Sequence, residues 1–301
     1  MNILVAGGTG FLGRHIAAAL MTAGHEIAVL GRDPSKVATI PQLKGARAIR
    51  GDVTDQHSLK GSMEGIDAVV GAVQFPGHPV EVPRKDLTYD VYDRQGTQNL
   101  VNEAVDAGVE RFVYLSGAGA DLTSDKSWYR AKGAAERYLR DSGLQWTIVR
   151  PSWAYGPEDK ALNKFELISR FSPFVPRLGL RPQRVQPVYC GDIAATFERI
   201  FAVKGSWGNV FEIGGPDIMT MDEIIRTLLD VVGRRRWVVP VPTWMAKLGT
   251  APLMMLPKPP MSPQGIEFAV QDGLVDTSAV RETLGIDPIA LAEGLRRYLA
   301  R

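Results

Sequence analysis

Near the amino terminus the run Gly7-Gly8-Thr9-Gly10-Phe11-Leu12-Gly13 satisfies both G-x-G-x-x-G and G-x-x-G-x-x-G. In a chain with 31 glycines the spacing alone is weak, but its position is informative. It follows the apolar run Ile3-Leu4-Val5-Ala6 and opens a helical pattern at Phe11. In that place the first glycines permit a tight turn and let backbone approach a pyrophosphate. Gly13 lets helix and strand pack closely, and the unpaired N–H groups at the helix start attract the anion. The plainer reading is a tight strand–helix turn without a ligand. The geometry favours a dinucleotide.

The end of the next apolar run, Val29-Leu30-Gly31-Arg32, bears on which dinucleotide. A site for NAD(H) usually carries an acid there for the ribose hydroxyls. Here Gly31 holds that place and Arg32 stands beside it, suited to a 2′-phosphate. NADP(H) is therefore favoured. Asp33 follows and keeps NAD(H) open, since a one-residue shift would restore the acid.

The elements that must position this loop alternate. Strands are expected at Ile3–Ala6, Glu26–Leu30, Ala46–Arg50, Ala68–Gly71, Arg111–Leu115 and Trp146–Val149. Helices are expected near Phe11–Thr22, Gln56–Ser62, Tyr89–Ala107 and Arg130–Ser142. Continuous apolar strands with helices between them predict an α/β fold, a Rossmann-type doubly wound parallel sheet covered on both faces. After Arg150-Pro151 prolines interrupt the pattern. Strands at Gln186–Tyr189 and Val210–Ile213 precede helices at Asp192–Phe201 and Met221–Val232, and a last helix lies near Ile289–Tyr298. The expected division is a dinucleotide-binding domain over 1–150 and a smaller C-terminal α+β part over 151–301 that completes the cleft, interleaved with the first.

Composition narrows the function class. The 35 Lys and Arg against 33 Asp and Glu leave a formal charge of +2, too little for a nucleic-acid-binding face. The triplet Arg234-Arg235-Arg236 reads as a solvated loop. A single cysteine, Cys190, excludes an intramolecular disulfide and reads as a small core residue, and the four histidines lack metal-ligand spacing, so no metal is expected. Neither a leader pattern nor a bilayer-length apolar stretch is read, so a cytoplasmic protein is expected. The Trp-, Met- and Pro-rich stretch Trp237–Pro263 includes a helical pattern, Trp244–Leu256, broken by Gly249 and Pro252. Its plain reading is a cap over the cleft. The alternative is a peripheral surface for membrane or a protein partner, with Lys247 and Lys258 at the headgroups.

With the glycine loop in place, later segments resemble the extended and atypical short-chain dehydrogenase/reductase superfamily. Gly51-Asp52-Val53-Thr54-Asp55 resembles its adenine-contacting turn, and Gly71-Ala72-Val73 its fourth-strand turn against the adenosine ribose. Gly96-Thr97-Gln98-Asn99-Leu100-Val101 resembles the helix backing the sheet, and Arg111-Phe112-Val113-Tyr114-Leu115-Ser116 the fifth strand, at whose end the nicotinamide lies. Arg150-Pro151-Ser152, Tyr155-Gly156-Pro157-Glu158-Asp159 and Asn163-Lys164-Phe165 are closest to the group related to the nucleotide-binding accessory subunit of respiratory complex I. Gln186-Pro187-Val188-Tyr189, Asp192-Ile193-Ala194 and Phe211-Glu212-Ile213-Gly214-Gly215-Pro216 extend that similarity over nearly the whole chain. The cofactor contacts this implies are Gly7 to Gly13, Arg32, Asp52, Val53, Ala72, Val73, Ser116, Trp128, Lys132, Pro151 and Ser152.

The resemblance also implies a Tyr-x-x-x-Lys pair with a Ser or Thr, in which the lysine lowers the tyrosine pKa and the tyrosine moves the proton that balances hydride transfer. In Ser127-Trp128-Tyr129-Arg130-Ala131-Lys132 the lysine is Lys132, but four residues before it stands Trp128. An indole N–H is no general acid near neutral pH. Tyr129 is one residue out of register, about 100° round a helix, and would return only through an irregular helix start. Ser116 ends the fifth strand, while the usual hydroxyl position is Gly117. The catalytic candidates are thus Lys132, Ser116 and Tyr129. The chain is expected to bind the dinucleotide, either as an oxidoreductase without Ser-Tyr-Lys chemistry acting on an unknown small molecule, or as a noncatalytic scaffold or redox sensor on a respiratory or membrane assembly.

Overall fold

The computed structural model describes residues 1–250 and 263–299. Seven parallel strands form the central sheet: β1 (Asn2–Ala6), β2 (Glu26–Gly31), β3 (Arg47–Arg50), β4 (Ala68–Gly71), β5 (Arg111–Leu115), β6 (Gln145–Pro151) and, after four short strands outside it, Val210–Ile213. The four are β7 (Trp153–Tyr155), β8 (Phe174–Leu178), β9 (Arg184–Val185) and β10 (Pro187–Tyr189), so the seventh strand of the sheet is β11. Its order is β11-β6-β5-β4-β1-β2-β3, and it reverses direction of growth between β1 and β4. In such a sheet the ligand crevice opens at that reversal, beyond the carboxyl ends of the strands. The glycine loop leaves β1 there.

Both faces of the sheet are covered. On one, α1 (Phe11–Thr22) packs through Ile16 and Leu20 beside a late helix, Cys190–Ala202, through Ile193, Phe197 and Ile200. On the other, α3 (Gly96–Asp106) and α4 (Ser127–Arg140) contribute Leu100, Val101, Ala104, Ala135 and Leu139. Burying each such large aliphatic or aromatic side chain contributes roughly 1.5–3 kcal/mol. A short α2 (Ser35–Thr39) follows β2. Because β11 pairs with β6 in the register Val210↔Ile148, the sheet takes a strand from beyond residue 150. The chain returns to its first layer after leaving it.

A second core lies in the C-terminal part. It joins Tyr155, α5 (Leu162–Phe171), β8, the helix α7 (Met221–Val231) and the last helix, Leu291–Leu299. The Cys190–Ala202 helix is α6. Three further elements complete this part: β12 (Met219–Thr220), β13 (Trp237–Val241) and α8 (Thr243–Thr250), followed by α9 (Pro263–Ala269) and then α10, the Leu291–Leu299 helix.

Three expectations are corrected. Gln56–Ser62 is a 3-10 turn over Gln56–Leu59, capped by the Asp55 carboxylate accepting from the His57 N–H, and too short to pack as a helix. Tyr89–Ala107 is not one regular helix: Asp90–Gln95 is a π-helical turn, and α3 begins at Gly96. The stretch from Trp237 begins as a strand, β13, paired in parallel with β8 from Trp237↔Phe174 to Val241↔Leu178. Of the expected Trp244–Leu256 helix, α8 covers the part to Thr250, and Leu253 to Leu256 and Lys258 lie outside the described residues.

Candidate functional site

Within the glycine loop the four glycines do different work. Gly7 has φ +84°, and a Cβ there would lie 2.4 Å from the Ala72 carbonyl oxygen. Gly8 would meet the Val29 side chain at 2.9 Å and Gly13 the Gly7 carbonyl oxygen at 2.2 Å. These three are required by packing of the loop against β2, the turn after β4 and the start of α1. Gly10 differs: it is exposed, its backbone is extended, and a Cβ would meet only the Gly7 oxygen at 3.1 Å. It stands at the start of α1, where the first N–H groups have no intrahelical partner. Arg14 braces the loop by donating to the Thr9 carbonyl at 2.8 Å and the Gly10 carbonyl at 3.1 Å. The space over Gly10 therefore suits a ligand with a pyrophosphate.

The far side of the loop is closed by the segment after β7. Gly156 lies against the Phe11 ring and Cys190, while Leu12 packs into the core. Glu158 bonds His15 at 2.7 Å and Gln42 at 3.0 Å, fastening this segment to α1 and to the turn at Pro41–Leu43. Cys190 itself is buried, and that burial, with Glu158 nearby, pushes its thiol up to about 12. It is an inert core thiol.

Beyond β2, Arg32 is exposed and forms no ion pair among the described residues. Asp33 accepts from the Ser35 hydroxyl at 2.6 Å and the Ser35 N–H at 3.2 Å. That hydroxyl holds its carboxyl below the usual range, with Lys36 and Arg50 adding to the effect. The acid is thus engaged at the start of α2, and Arg50, paired in register with Gly31, brings a second cation to the end of β2. Arg50 is a residue the sequence reading missed. Asp52 accepts from the Thr54 N–H and hydroxyl through one oxygen, at 3.0 and 2.9 Å, which leaves the other for a ligand amino group. Val53 is fixed by Asn99 donating to its carbonyl at 2.7 Å and by contact with Gly96. Ala72 and Val73 are half-buried at the turn where Gly7 presses on Ala72.

At the opposite end the polar groups hold one another. Lys132 Nζ pairs with Asp93 Oδ1 at 3.0 Å, and Asp93 is fully buried. The other Asp93 oxygen accepts from the Phe75 N–H at 3.0 Å. Burial opposes the lysine charge, but the Tyr114 hydroxyl and the Asp93 carboxylate outweigh it and raise the Lys132 pKa. The π turn carries Asp93 into this position, so Asp93 is a second residue that sequence reasoning missed. A Cβ built on Gly117 would lie 3.6 Å from the Lys132 stem. The position where the superfamily resemblance places a hydroxyl faces the lysine and carries none.

Ser116 is occupied elsewhere. Its hydroxyl donates to the buried Glu136 carboxylate at 2.6 Å, and Arg150 grips the same carboxylate at 2.9 and 2.6 Å. The Ser152 hydroxyl donates to the Gly273 carbonyl at 2.5 Å, and the Pro151 carbonyl accepts from Ala118 N–H at 3.0 Å. The Pro151 bond crosses from the second part of the chain to the first, and the Ser152 bond fastens the end of β6 to the segment after α9. α4 runs as a regular helix from Ser127, without the irregular start that would turn Tyr129 inward. The Tyr129 ring packs on Gly119, whose φ is +79°. Trp128 is buried in a cluster with Phe75, Tyr89 and Ala131.

Next to this cluster, His78 Nδ1 and the Tyr89 hydroxyl lie 2.5 Å apart. Burial, then the Lys132 and Lys160 cations, pull the imidazole down to about 4, so it is neutral near pH 7. Burial pushes the Tyr89 phenol up. Neither group was singled out from the sequence: 11 positions apart, they meet only through the fold of the connection after β4. Among the described residues no cluster of His, Cys, Asp or Glu could hold a metal ion.

The second half supplies a surface as well as a lid. Arg234 pairs with Glu166 at 2.9 Å and Arg236 donates to the Ser169 carbonyl at 2.8 Å, so two of the three arginines are bound back to α5 rather than free. Trp237 is 74% exposed, edge-on to Phe174, and Trp244 and Leu248 are exposed on α8. Lys247, expected at headgroups, pairs with Glu267 at 2.6 Å. Among the described residues no helix is long and apolar enough to cross a membrane.

Comparison with known proteins agrees with the crevice geometry. A family model described as NAD(P)H-binding matches residues 7–175. The chain is 29% identical over 294 residues to NADH dehydrogenase [ubiquinone] 1 alpha subcomplex subunit 9, mitochondrial, of Arabidopsis thaliana, covering 92% of this chain and 71% of the relative. It is 26% identical over 348 residues to a 3 beta-hydroxysteroid dehydrogenase/Delta 5-->4-isomerase of Mycobacterium tuberculosis, covering 99% and 90%. Among solved structures, UDP-glucose 4-epimerase of Thermotoga maritima matches with a TM-score of 0.77 at 23% identity, covering 99% of this chain and 97% of that one. The superfamily resemblance, and within it the kinship to the complex I accessory subunit, is borne out.

Proposed function

The chain belongs to the NAD(P)H-binding family, and from that premise we propose that it binds NADP(H) in preference to NAD(H) and has, among the described residues, no side chain set to deliver a proton to an alkoxide. The observation that carries this reading is the contrast at α4: the lysine is kept, paired with Asp93, while Trp128 and Gly117 stand where a tyrosine and a hydroxyl would act. Gly10, the start of α1 and Asp52 would hold the pyrophosphate and adenosine, and Arg32 with Arg50 would face the 2′-phosphate.

Reduced nicotinamide supplies a hydride when bound. What the chain's own groups can add to it is limited. Trp128 offers only an indole N–H, Ser116 is held by Glu136, Tyr129 faces Gly119, and Lys132 keeps its proton against Asp93. Ketone reduction leaves a strongly basic alkoxide that needs a positioned acid. Quinone reduction leaves a phenolate-like anion, comparable to a tyrosinate of pKa about 10, which water protonates unaided. The site therefore favours quinone-type acceptors over ketones and aldehydes.

The second reading is a noncatalytic subunit, favoured by the Arabidopsis relative, which is by name a subunit of a ubiquinone-linked NADH dehydrogenase. The exposed Trp237, Trp244 and Leu248 would then meet a protein partner or membrane. Following NADPH oxidation with naphthoquinone, ketones and aldehydes separates the two. Turnover with the quinone alone supports the first, equal turnover with ketones contradicts it, and tight NADPH binding without any turnover favours the second.

A further inference from the structure

The aromatic cluster beside Lys132 contains one ring of a different origin. Phe75, His78, Tyr89 and Trp128 come from the segments after β4 and before Lys132, whereas Phe268 arrives from α9 in the C-terminal part. Its ring stands perpendicular to His78 with centroids 4.6 Å apart, and 5.5 Å from Trp128 at 78°. Such edge-to-face spacing is the favourable arrangement for aromatic rings. Phe268 is half-buried, while the neighbouring Ile266 is fully buried and anchors α9. Around it, Gln271 accepts from Lys126 at 2.5 Å in a half-buried contact, and Glu267 pairs with Lys247 at the surface.

Trp128 gives the second observation. Its side chain is 8% exposed, and its Nε1–H is buried without a hydrogen-bond partner. A buried donor left unpaired is costly, and native chains rarely keep one without a reason. Its ring neighbours are Tyr89, Tyr129 and Phe268, and the Lys126 ammonium, itself a donor, lies 6.0 Å from the ring centroid, so none of these accepts the indole N–H. An acceptor at the edge of a flat ring, entering where Phe268 now lies, would satisfy it.

We propose that Phe268 occupies a ring-binding subsite walled by His78, Tyr89 and Trp128, and that the ligand of this subsite is a flat ring bearing an edge oxygen that accepts the Trp128 N–H, as a quinone does. The proposal rests on the quinone-acceptor reading above and supplies the residues that recognise the ring. Trp128 then has a role in place of the missing tyrosine: it keeps a donor at that position for binding but no transferable proton. Phe268 fills the subsite until the ligand displaces it.

The test is calorimetric binding of 1,4-naphthoquinone to the full chain saturated with NADP+, with naphthalene as the ring lacking an oxygen. Oxidised cofactor prevents turnover, so binding is read independently of any activity. Phe268→Ala is expected to tighten naphthoquinone about tenfold, and Phe268→Leu to tighten it less, guarding against loss of α9 packing. Trp128→Phe is expected to weaken naphthoquinone about tenfold, one neutral hydrogen bond, and leave naphthalene unchanged. No gain in either Phe268 variant, or an unchanged preference for naphthoquinone over naphthalene in Trp128→Phe, would overturn the subsite. So would Phe268 variants that tighten NADP+ alone, since the ring site would then belong to the nicotinamide. Binding as expected without quinone-dependent NADPH oxidation would leave the subsite standing and sink the reductase reading.

Discussion

At one end of the crevice Gly10 is exposed, with only the Gly7 oxygen within 4 Å of a Cβ built on it, Asp52 keeps a carboxylate oxygen unengaged, and Arg32 has no ion pair among the described residues. At the other end Lys132, Ser116 and Ser152 each hold a partner within 3.0 Å: Asp93, Glu136 and Gly273. Polar groups that a fold leaves unmatched at a cleft are available to a ligand, and groups that satisfy one another are structural first. By that criterion the first end is open to a ligand and the second is held by the fold, which is what the proposed function requires. The comparison makes three predictions about NADPH affinity, which should fall from a collapse to almost nothing as substitutions move from the first end to the second.

The largest effect belongs to Gly10→Val. Its backbone is extended, which valine tolerates, and nothing but the Gly7 oxygen stands within 4 Å of the new Cβ. The branched side chain would occupy the pyrophosphate's approach, so affinity by equilibrium titration should fall more than about 100-fold, nearly 3 kcal/mol, while the tight contact with the Gly7 oxygen costs less stability than Gly13→Ala does. Gly13→Ala is the control, because its Cβ would stand 2.2 Å from backbone and the overpacking should cost about 1–3 kcal/mol of stability. If Gly10→Val bound NADPH normally, the cradle would lie elsewhere.

Next comes Arg32→Ala. A charge-assisted contact to phosphate is typically worth about 1.5–3 kcal/mol, so NADPH should weaken roughly 10- to 150-fold while NADH changes little. Arg50 on the neighbouring strand would hold the loss toward the lower figure. Equal loss for both cofactors, or tighter binding of NADH by the unaltered chain, would refute the 2′-phosphate preference.

The two ends also differed in how far the sequence disclosed them. The glycine loop is a local signal: strand, loop and helix are contiguous, and the spacing itself encodes the turn. The continuous apolar strands likewise placed the sheet, and Lys132 with its missing tyrosine was visible from register alone. What stayed hidden depends on partners brought together by tertiary structure. Asp93 lies 39 positions before Lys132 and reaches it through a π turn inside an apparently regular helical pattern. Glu136, which claims the Ser116 hydroxyl, is paired with Arg150 from another strand. The β8 and β13 pair was obscured by Pro176 and Pro240, tolerated because these strands form a two-stranded sheet with open edges. Phe268 could be connected to Trp128 only once α9 was seen to bring its ring within 5.5 Å of the indole.

The smallest effect on affinity, and the most direct test of the contrast, is Lys132→Met. If the lysine serves chiefly to neutralise Asp93, removing it strands a fully buried carboxylate and should cost about 3–5 kcal/mol in chemical denaturation. Asp93→Asn should cost a similar amount, and the double variant less than the sum of the two. NADPH affinity of folded Lys132→Met, measured in the same preparation, should stay within about threefold of the parent, under 1 kcal/mol. A Lys132→Met chain of undiminished stability that had lost NADPH binding would contradict the account, because the lysine would then be holding the cofactor rather than the fold.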